Sequence, residues 1–174
     1  MKAVLALVIA LAANGAFASV CDIMNNGSNF YAVNRDGSQF TEWTSQGDFM
    51  SAIASRDQAI ESKLCTFSQS VKTCDIINNG SNFYAVSRGQ KQFTEWTNQG
   101  DYASAIAMQN QLVDNHVCVK RAANTAVCDI RNNGSNFYAV TRDGKVFTEW
   151  TSQGDLKKAI EVRDELVGLG LCTL

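Results

Sequence analysis

The chain contains one sequence written three times. The segment Cys-Asp-Ile-x-Asn-Asn-Gly-Ser-Asn-Phe-Tyr-Ala-Val-x-Arg begins at Cys21, Cys74 and Cys128. From Cys21 to Asp48, 21 of 28 positions are identical in the three copies, whereas from residue 49 to Cys65 only 3 of 17 are. A helix that only packs can exchange its exposed and aliphatic residues, but a surface that binds the same ligand in every copy cannot. The pattern predicts a repeated binding surface in the first part of each copy.

The N-terminus has the layout of a secretory signal. Met1-Lys2 is followed by an apolar run and then by Ala16-Phe17-Ala18, an A-x-A cleavage site. The apolar run is too short to span a bilayer, and no other stretch is long and apolar enough to do so. We expect removal of residues 1–18 and a secreted or periplasmic product without membrane insertion.

The six cysteines fall into three equally spaced pairs. An oxidising compartment favours disulfide bonds, and the chain has no C-x-x-C or cysteine–histidine spacing typical of a metal site. The paired cysteines are 44 residues apart in every copy, which predicts that each copy closes its own loop. The predicted bridges are Cys21–Cys65, Cys74–Cys118 and Cys128–Cys172.

These pairs divide the chain into a signal, three units and two connectors. The expected boundaries are a signal peptide at 1–18, modules at 19–65, 74–118 and 128–174, and linkers at 66–73 and 119–127. A unit of about 45 residues is near the size at which a hydrophobic core alone becomes insufficient, so each disulfide bond is expected to stabilise its unit. The sequence leaves open whether the units pack together.

Each unit begins with the pattern of a short strand and a β-hairpin. In the first unit, residues 30–33 and 40–43 are rich in aromatic and β-branched residues. They flank Asp36-Gly37, which suits a type I′ turn, while the second unit has Gly89-Gln90, which suits type II′. The hairpin carries invariant aromatic residues on both faces. A helix covers only one face, so another module, another chain or a ligand must cover the other.

The second half of each unit has the pattern of a helix. Ser45-Gln46-Gly47-Asp48 resembles a capping box, and apolar residues then recur at helical spacing up to the second cysteine. The predicted fold class is α+β, with three tandem small ββα modules, each made of a short first strand, a hairpin and one helix, and each closed by one disulfide bond.

The most polar invariant stretch is Asn25-Asn26-Gly27-Ser28-Asn29 with its two copies. One interpretation is a turn, in which Gly27 has a positive φ and the asparagine side chains bond their own backbone. A turn would also tolerate Asp, Ser or Gly at the asparagine positions, but none of the three copies has such a substitution. Contact with a ligand is therefore the alternative interpretation. Asn-Gly-Ser is also an N-glycosylation sequon, and a glycan there would block the loop as a binding site.

No repeated set of residues favours metal binding or catalysis. The loop partly fits the EF-hand pattern, but its third position is not an oxygen donor and Val33 stands where a glutamate is needed. Asp48 fits a helix cap and Glu42 a strand position, which argues against a glycosidase pair. His116 is the only histidine and has no counterpart in the other copies. We expect no metal, no cofactor and no enzymatic activity.

Tyr31 and Trp43 are the best candidates for ligand contact. Both side chains combine a flat ring with a polar group, so they serve as platforms for sugar rings, bases or peptide side chains. The alternative is a core position, which we favour for Phe30 and Phe40. The candidate ligand-binding residues of the three copies are Asn26, Asn29, Tyr31, Arg35, Glu42, Trp43, Asn79, Asn82, Tyr84, Arg88, Glu95, Trp96, Asn133, Asn136, Tyr138, Arg142, Glu149 and Trp150.

One local resemblance concerns the hairpin of the second unit. The segment Phe83-Tyr84-Ala85-Val86-Ser87-Arg88-Gly89, with Trp96 and a helix after it, resembles the start of the hybrid-binding domain of eukaryotic ribonucleases H. The matching motif implies nucleic-acid backbone contacts at Tyr84 and Trp96, and a ββα geometry. This chain departs from that family in its cysteine-bearing first strand, its shorter hairpin and the absence of a basic, aromatic terminal strand.

Charge and repetition together favour a multivalent binder. The formal net charge is −2, or −3 after loss of Lys2 with the signal, which argues against nucleic acid as a partner. The sequence predicts an exported protein with one equivalent site per repeat, for a surface carbohydrate or a protein. The alternative is a secreted inhibitor or a structural envelope protein that uses the invariant face for protein contacts.

Overall fold

The computed structural model describes residues 19–68 and 72–174. The predicted signal peptide lies outside the described residues, as does the middle of the first connector. The described chain belongs to the α+β class, as predicted, and contains three helices and three sheets. None of these helices has the length and apolar character needed to cross a bilayer.

The same order of elements follows each first cysteine; we call residues 21–65, 74–118 and 128–172 the first, second and third repeats. The strands are β1 (Val20–Asn25), β2 (Tyr31–Arg35), β3 (Ser38–Gln39), β4 (Thr66–Phe67), β5 (Thr73–Asn78), β6 (Tyr84–Arg88), β7 (Lys91–Gln92), β8 (Val119–Lys120), β9 (Cys128–Asn132), β10 (Tyr138–Arg142) and β11 (Lys145–Val146). The helices are α1 (Phe49–Glu61), α2 (Tyr102–Asp114) and α3 (Leu156–Gly168), and a short 3₁₀ helix covers Ala123–Thr125.

Each sheet contains three antiparallel strands, and two of the sheets add a fourth strand in parallel. Their strand orders are β3-β2-β1-β4, β7-β6-β5-β8 and β11-β10-β9. The strands β4 and β8 lie in the connectors expected between the units, where they pair in parallel with β1 and β5. Val127 and Thr173 make the corresponding parallel bridge beside the third sheet.

The predicted disulfide bonds are confirmed. The bridges are Cys21–Cys65, Cys74–Cys118 and Cys128–Cys172, with Cα–Cα distances of 5.7, 5.6 and 5.6 Å. Each joins the first strand of a sheet to the segment that follows the helix packed on that sheet.

The hairpin turns differ from the prediction in the second repeat. Asp36 and Gly37 both have positive φ, as a type I′ turn requires. Gly89 and Gln90 also both have positive φ, whereas a type II′ turn requires a negative φ at the second position. The second turn is therefore also of the I′ kind, with Gln90 in the left-handed conformation.

The helix starts also differ from the predicted capping box. Asp48 is itself the N-cap of α1, since its carboxylate accepts the amide of Ser51 at 3.0 Å. The carboxylates of Asp101 and Asp155 do the same for α2 and α3. Hydrogen bonds from Ser51 and Ser104 hold the pKa values of Asp48 and Asp101 below the ordinary range.

The hydrophobic core is shared between consecutive repeats. One cluster joins Tyr31 and Ile53 of the first repeat to Phe93 and Leu112 of the second, and another joins the second repeat to Phe147 of the third. The neighbouring repeat thus packs on the side of the sheet that carries the repeat's own helix, since Tyr31 contacts both Phe49 of α1 and Phe93. These clusters do not include the opposite sheet face, for which the sequence left three coverings open.

Candidate functional site

The invariant arginine of the hairpin links one repeat to the repeat before it. Arg88 is buried, and its guanidinium donates to the carbonyl oxygens of Val117 at 2.9 Å and Ile23 at 2.7 Å. It also pairs with the carboxylate of Asp22 at 2.5 Å. Ile23 and Asp22 belong to the first repeat. Arg88 was predicted to contact a ligand; in the structure its side chain is buried and donates to three acceptors of the protein.

Arg142 makes the same contacts between the third and second repeats. It donates to the carbonyl oxygens of Leu171 at 2.9 Å and Ile76 at 2.8 Å, and pairs with Asp75 at 2.6 Å. Arg121, outside the repeats, pairs with the other carboxylate oxygen of Asp75 at 2.9 Å, and this carboxylate raises its pKa. The agreement of the two sets of distances shows that one interface is used twice.

The invariant tyrosine and phenylalanine belong to the same interface. The Tyr31 hydroxyl donates to the carbonyl oxygen of Phe93 at 2.6 Å, and the Asn25 side chain donates to the same oxygen at 2.6 Å. Tyr84 repeats the hydroxyl contact with Phe147 at 2.6 Å. The paired rings lie edge to face, with centroids 5.3 and 5.4 Å apart. Contact between repeats therefore accounts for the invariance of these residues without a ligand.

Burial at this interface raises the pKa of the Tyr31 and Tyr84 hydroxyls above their ordinary values. The carboxylates of Glu95 and Glu149 add to this effect, because a phenolate beside them would be repelled. Both hydroxyls therefore stay protonated as donors at neutral pH.

We expect the free energy of unfolding to fall as the pH rises above about 10, the ordinary pKa of tyrosine. Above that pH the unfolded chain loses phenolic protons that the folded chain keeps, and each such tyrosine contributes a slope of up to about 1.4 kcal/mol per pH unit. Urea unfolding between pH 8 and 11 measures the slope. The double variant Tyr31→Phe, Tyr84→Phe should show a shallower decline than the parent chain, and equal slopes would contradict the assignment.

The asparagine loop is a turn closed by its own side chains. The Asn26 side-chain oxygen accepts the amide of Ser28 at 2.8 Å, and Gly27 has a φ of 89°. Asn29 has a φ of 60°, and its carbonyl oxygen accepts the amide of Gly47 at 2.7 Å. The other loops repeat this geometry at Asn79, Asn82, Asn133 and Asn136. These bonds support the turn interpretation, although the tip of each loop is exposed.

The invariant tryptophan is the large aromatic residue that every repeat leaves exposed. Trp43, Trp96 and Trp150 are 37, 38 and 40% exposed. Each lies beyond the last hairpin strand, because β3, β7 and β11 end before the phenylalanine that precedes it. The tryptophan therefore does not take the cross-strand position that an extended hairpin would give it. The preceding glutamates, Glu42, Glu95 and Glu149, are also exposed.

The glutamate approaches the loop that precedes the helix of the previous repeat. A Cβ atom at Gly47 would lie 3.0 Å from a carboxylate oxygen of Glu95, and one at Gly100 would lie 3.6 Å from Glu149. Both glycines have positive φ. Glycine is therefore favoured here for its backbone conformation and also for the space that the neighbouring glutamate occupies.

A groove of about 300 Å³ opens at the junction of the second and third repeats. Tyr84 and Tyr102 come from the second repeat, and Trp150, Lys158 and Glu165 from the third. The Tyr102 hydroxyl donates to the Glu165 carboxylate at 2.7 Å. Burial is the larger cause and this carboxylate the smaller one, and together they raise the pKa of Tyr102 to about 12. We call this site, together with Glu149, the tryptophan groove.

The corresponding positions between the first and second repeats keep the tryptophan and glutamate but change the helix residues. Trp96 and Glu95 stand in place of Trp150 and Glu149, whereas Phe49 replaces Tyr102. Ser104 and Gln111 replace Lys158 and Glu165. The two junctions thus share an aromatic platform and a carboxylate and differ in the groups around them. The sequence named the tryptophan and the glutamate as candidates for ligand contact but did not predict their position between repeats.

Neither a metal site nor a known relative assigns a function to this groove. Within residues 19–68 and 72–174, no three His, Cys, Asp or Glu side chains are grouped so that they could hold a metal ion. No family model, curated protein or solved structure matches the chain. The function proposed below therefore rests on the geometry of the groove and on the repetition of its platform.

Proposed function

We propose that the chain is an exported binding protein of three tandem ββα modules, with one equivalent tryptophan platform in each module and a surface carbohydrate as ligand. The observation that carries the proposal is the exposure of the same invariant tryptophan in all three repeats. Contacts between repeats account for the invariant arginine and tyrosine, but they do not require a half-exposed indole ring.

The chemistry of the tryptophan groove suits a sugar ring. Trp150 offers a flat apolar surface, and Glu149, Lys158 and Glu165 place hydrogen-bonding groups around it. Sugar rings combine an apolar face with hydroxyl groups, so they satisfy both features. The volume of about 300 Å³ is at the lower end for ligand sites, which fits one or two sugar units. The carboxylates and the net negative charge favour a neutral polymer over a polyanion.

Three equivalent platforms on one chain suit a polymer with repeating units. Linked weak sites can exceed the affinity of a single site by a factor of about 10² to 10⁴ when they bind together. Removal of one platform should therefore lower the affinity of the whole chain for the polymer by a larger factor than the weak affinity of that single site would account for.

We expect the triple variant Trp43→Ala, Trp96→Ala, Trp150→Ala to abolish carbohydrate binding and each single variant to weaken it at least tenfold. The measurement is a glycan array, followed by calorimetry with the best oligosaccharide. Because the indoles are partly exposed, each single variant should stay folded.

The matched control is Lys157→Ala, a change on the solvent-facing side of α3 that should leave binding unchanged, since this side chain is 88% exposed. Retention of glycan binding by a folded triple variant would refute the platform. A parent chain that binds no glycan on the array would refute carbohydrate as the ligand class.

A further inference from the structure

The interface between consecutive repeats is heterologous, because it joins two different surfaces. One surface carries the hairpin arginine and phenylalanine, and the other carries the aspartate and tyrosine of the preceding repeat. Two such interfaces are formed inside the chain. Within residues 19–68 and 72–174, the first repeat therefore has an unused copy of one surface, and the third repeat has an unused copy of the other.

The unused surface of the first repeat, which we call the head face, consists of Arg35, Phe40 and Leu64. Phe40 is 41% exposed, whereas its counterparts Phe93 and Phe147 are each 5% exposed. Leu64 is 46% exposed, whereas Val117, its counterpart in the second repeat, is 1% exposed. The sequence predicts an apolar helix face that includes Leu64. The structure leaves this residue exposed, because no other repeat of the described residues packs on it.

The unused surface of the third repeat, which we call the tail face, contains Asp129, Ile130, Tyr138, Leu156 and Ile160. Leu156 and Ile160 are 41 and 37% exposed, although the corresponding Phe49 and Ile53 are buried. Tyr138 and Ile130 are also less buried than their counterparts in the other repeats. Terminal repeats of stacked proteins usually end in polar surfaces, and neither of these faces does.

The hydrogen-bonding groups of the two faces match each other. Arg88 and Arg142 each reach an aspartate and a carbonyl oxygen of the preceding repeat, but Arg35 makes its side-chain bond to the Ser19 hydroxyl. Its Nε atom is buried with no partner within the described chain. Asp129 is exposed and, among the described residues, its carboxylate accepts only the amide of Ile130. The head face thus offers an incompletely paired cation, and the tail face offers the anion.

We propose that the head face of one copy binds the tail face of a second copy through the contacts already present twice inside the chain. Arg35 pairs with Asp129 of the second copy, and Phe40 packs on Tyr138, whose hydroxyl donates to the Phe40 carbonyl oxygen. A heterologous interface that does not close on itself extends the assembly, so the product is an end-to-end polymer. The proposal stands independently of carbohydrate binding.

Such contact would also complete a tryptophan groove. Trp43 and Glu42 lie at the head, where no other repeat within the described part of the chain supplies the second wall. The tail of the second copy would bring Tyr138 and Leu156 to the positions that Tyr84 and Tyr102 occupy beside Trp150. The platform of the first repeat then gains the second wall that a neighbouring repeat supplies beside Trp150.

Two variants that block opposite ends test this proposal. Analytical ultracentrifugation of the purified parent chain should show a mass that grows with concentration, beyond the dimer. Arg35→Glu blocks the head and Asp129→Lys blocks the tail, so each variant alone should remain a monomer. When the two are mixed, the Arg35→Glu copy still offers its tail and the Asp129→Lys copy its head. The mixture should associate although neither variant does so alone, because the reversed charges at the other two ends also attract each other.

Charge reversals away from both faces provide matched controls. Lys145→Glu in the third hairpin and Asp114→Lys at the end of α2 are exposed changes of the same kind. They should self-associate as the parent chain does, with the dissociation constant changed less than threefold. The blocking variants should raise it at least tenfold. A parent chain that stays monomeric, a blocked variant that still polymerises, or a mixture that stays monomeric would each refute the proposal.

Discussion

Replacing Arg88 with alanine should lower the free energy of unfolding by about 3–5 kcal/mol, the usual cost of removing one partner from a buried ion pair. The guanidinium saturates two carbonyl oxygens and the carboxylate of Asp22, all of which would be left at a buried interface without their donor. Urea unfolding at low protein concentration, where end-to-end contact is negligible, measures the change.

Arg35 provides the control for this prediction because it occupies the same position of the repeat at the free end. Arg35→Ala should cost no more than about 1 kcal/mol, since an incompletely paired arginine at the surface contributes little. A ligand-binding role for the arginine predicts instead that the three positions have similar, small effects on stability. Equal losses for Arg88→Ala and Arg35→Ala would contradict the interface described above.

Removing the central disulfide bond should lower the free energy of unfolding by about 4 kcal/mol. The bridge closes a loop with a sequence separation of 44, and this loop length sets the entropy that the bond removes from the unfolded chain. Cys74 and Cys118 also lie in the core shared by the first and second repeats. The double variant Cys74→Ala, Cys118→Ala therefore loses packing in addition to the constraint.

Chemical denaturation of the double variant, with the oxidised and the reduced parent chain measured in parallel, tests this prediction. Reduction opens all three loops, so the reduced parent should be less stable than the double variant. The matched Cys21→Ala, Cys65→Ala variant loses the same loop constraint at the head of the chain, where its cysteines belong to a smaller cluster. A negligible loss in the central variant would mean that the loop constraint does not stabilise the fold.

Local signals in the sequence were sufficient for the order of the elements inside each repeat but not for their bounds. The equal cysteine spacing gave the three bridges, whereas the second hairpin strand ends at Gln39, before the predicted run 40–43. Gln90 shows the limit of such signals. Glycine at the first turn position is compatible with two turn types, and only the φ of the second residue separates them.

The contacts between repeats could not be predicted in the same way. Arg88 and the Ile23 carbonyl oxygen are 65 residues apart, and no local spacing connects them. The available signals were the invariant Asp22 and Arg35, which carry opposite charges in every repeat, and the aromatic residues on both hairpin faces. Identity among repeats indicates a shared constraint. In a repeat protein, however, contact with the neighbouring repeat can keep a residue identical in all copies just as contact with a ligand can.

The parallel pairing beside the first strand of each sheet places the two ends of a repeat next to each other. Val20 is beside Thr66, Thr73 beside Val119, and Val127 beside Thr173. If the gene segment for one repeat were duplicated, the added repeat would therefore begin and end at neighbouring positions. It could be inserted without a longer connector. Chains with two, four or more copies should be accessible by a single duplication or deletion, so the length of the protein can evolve separately from the chemistry of its surface.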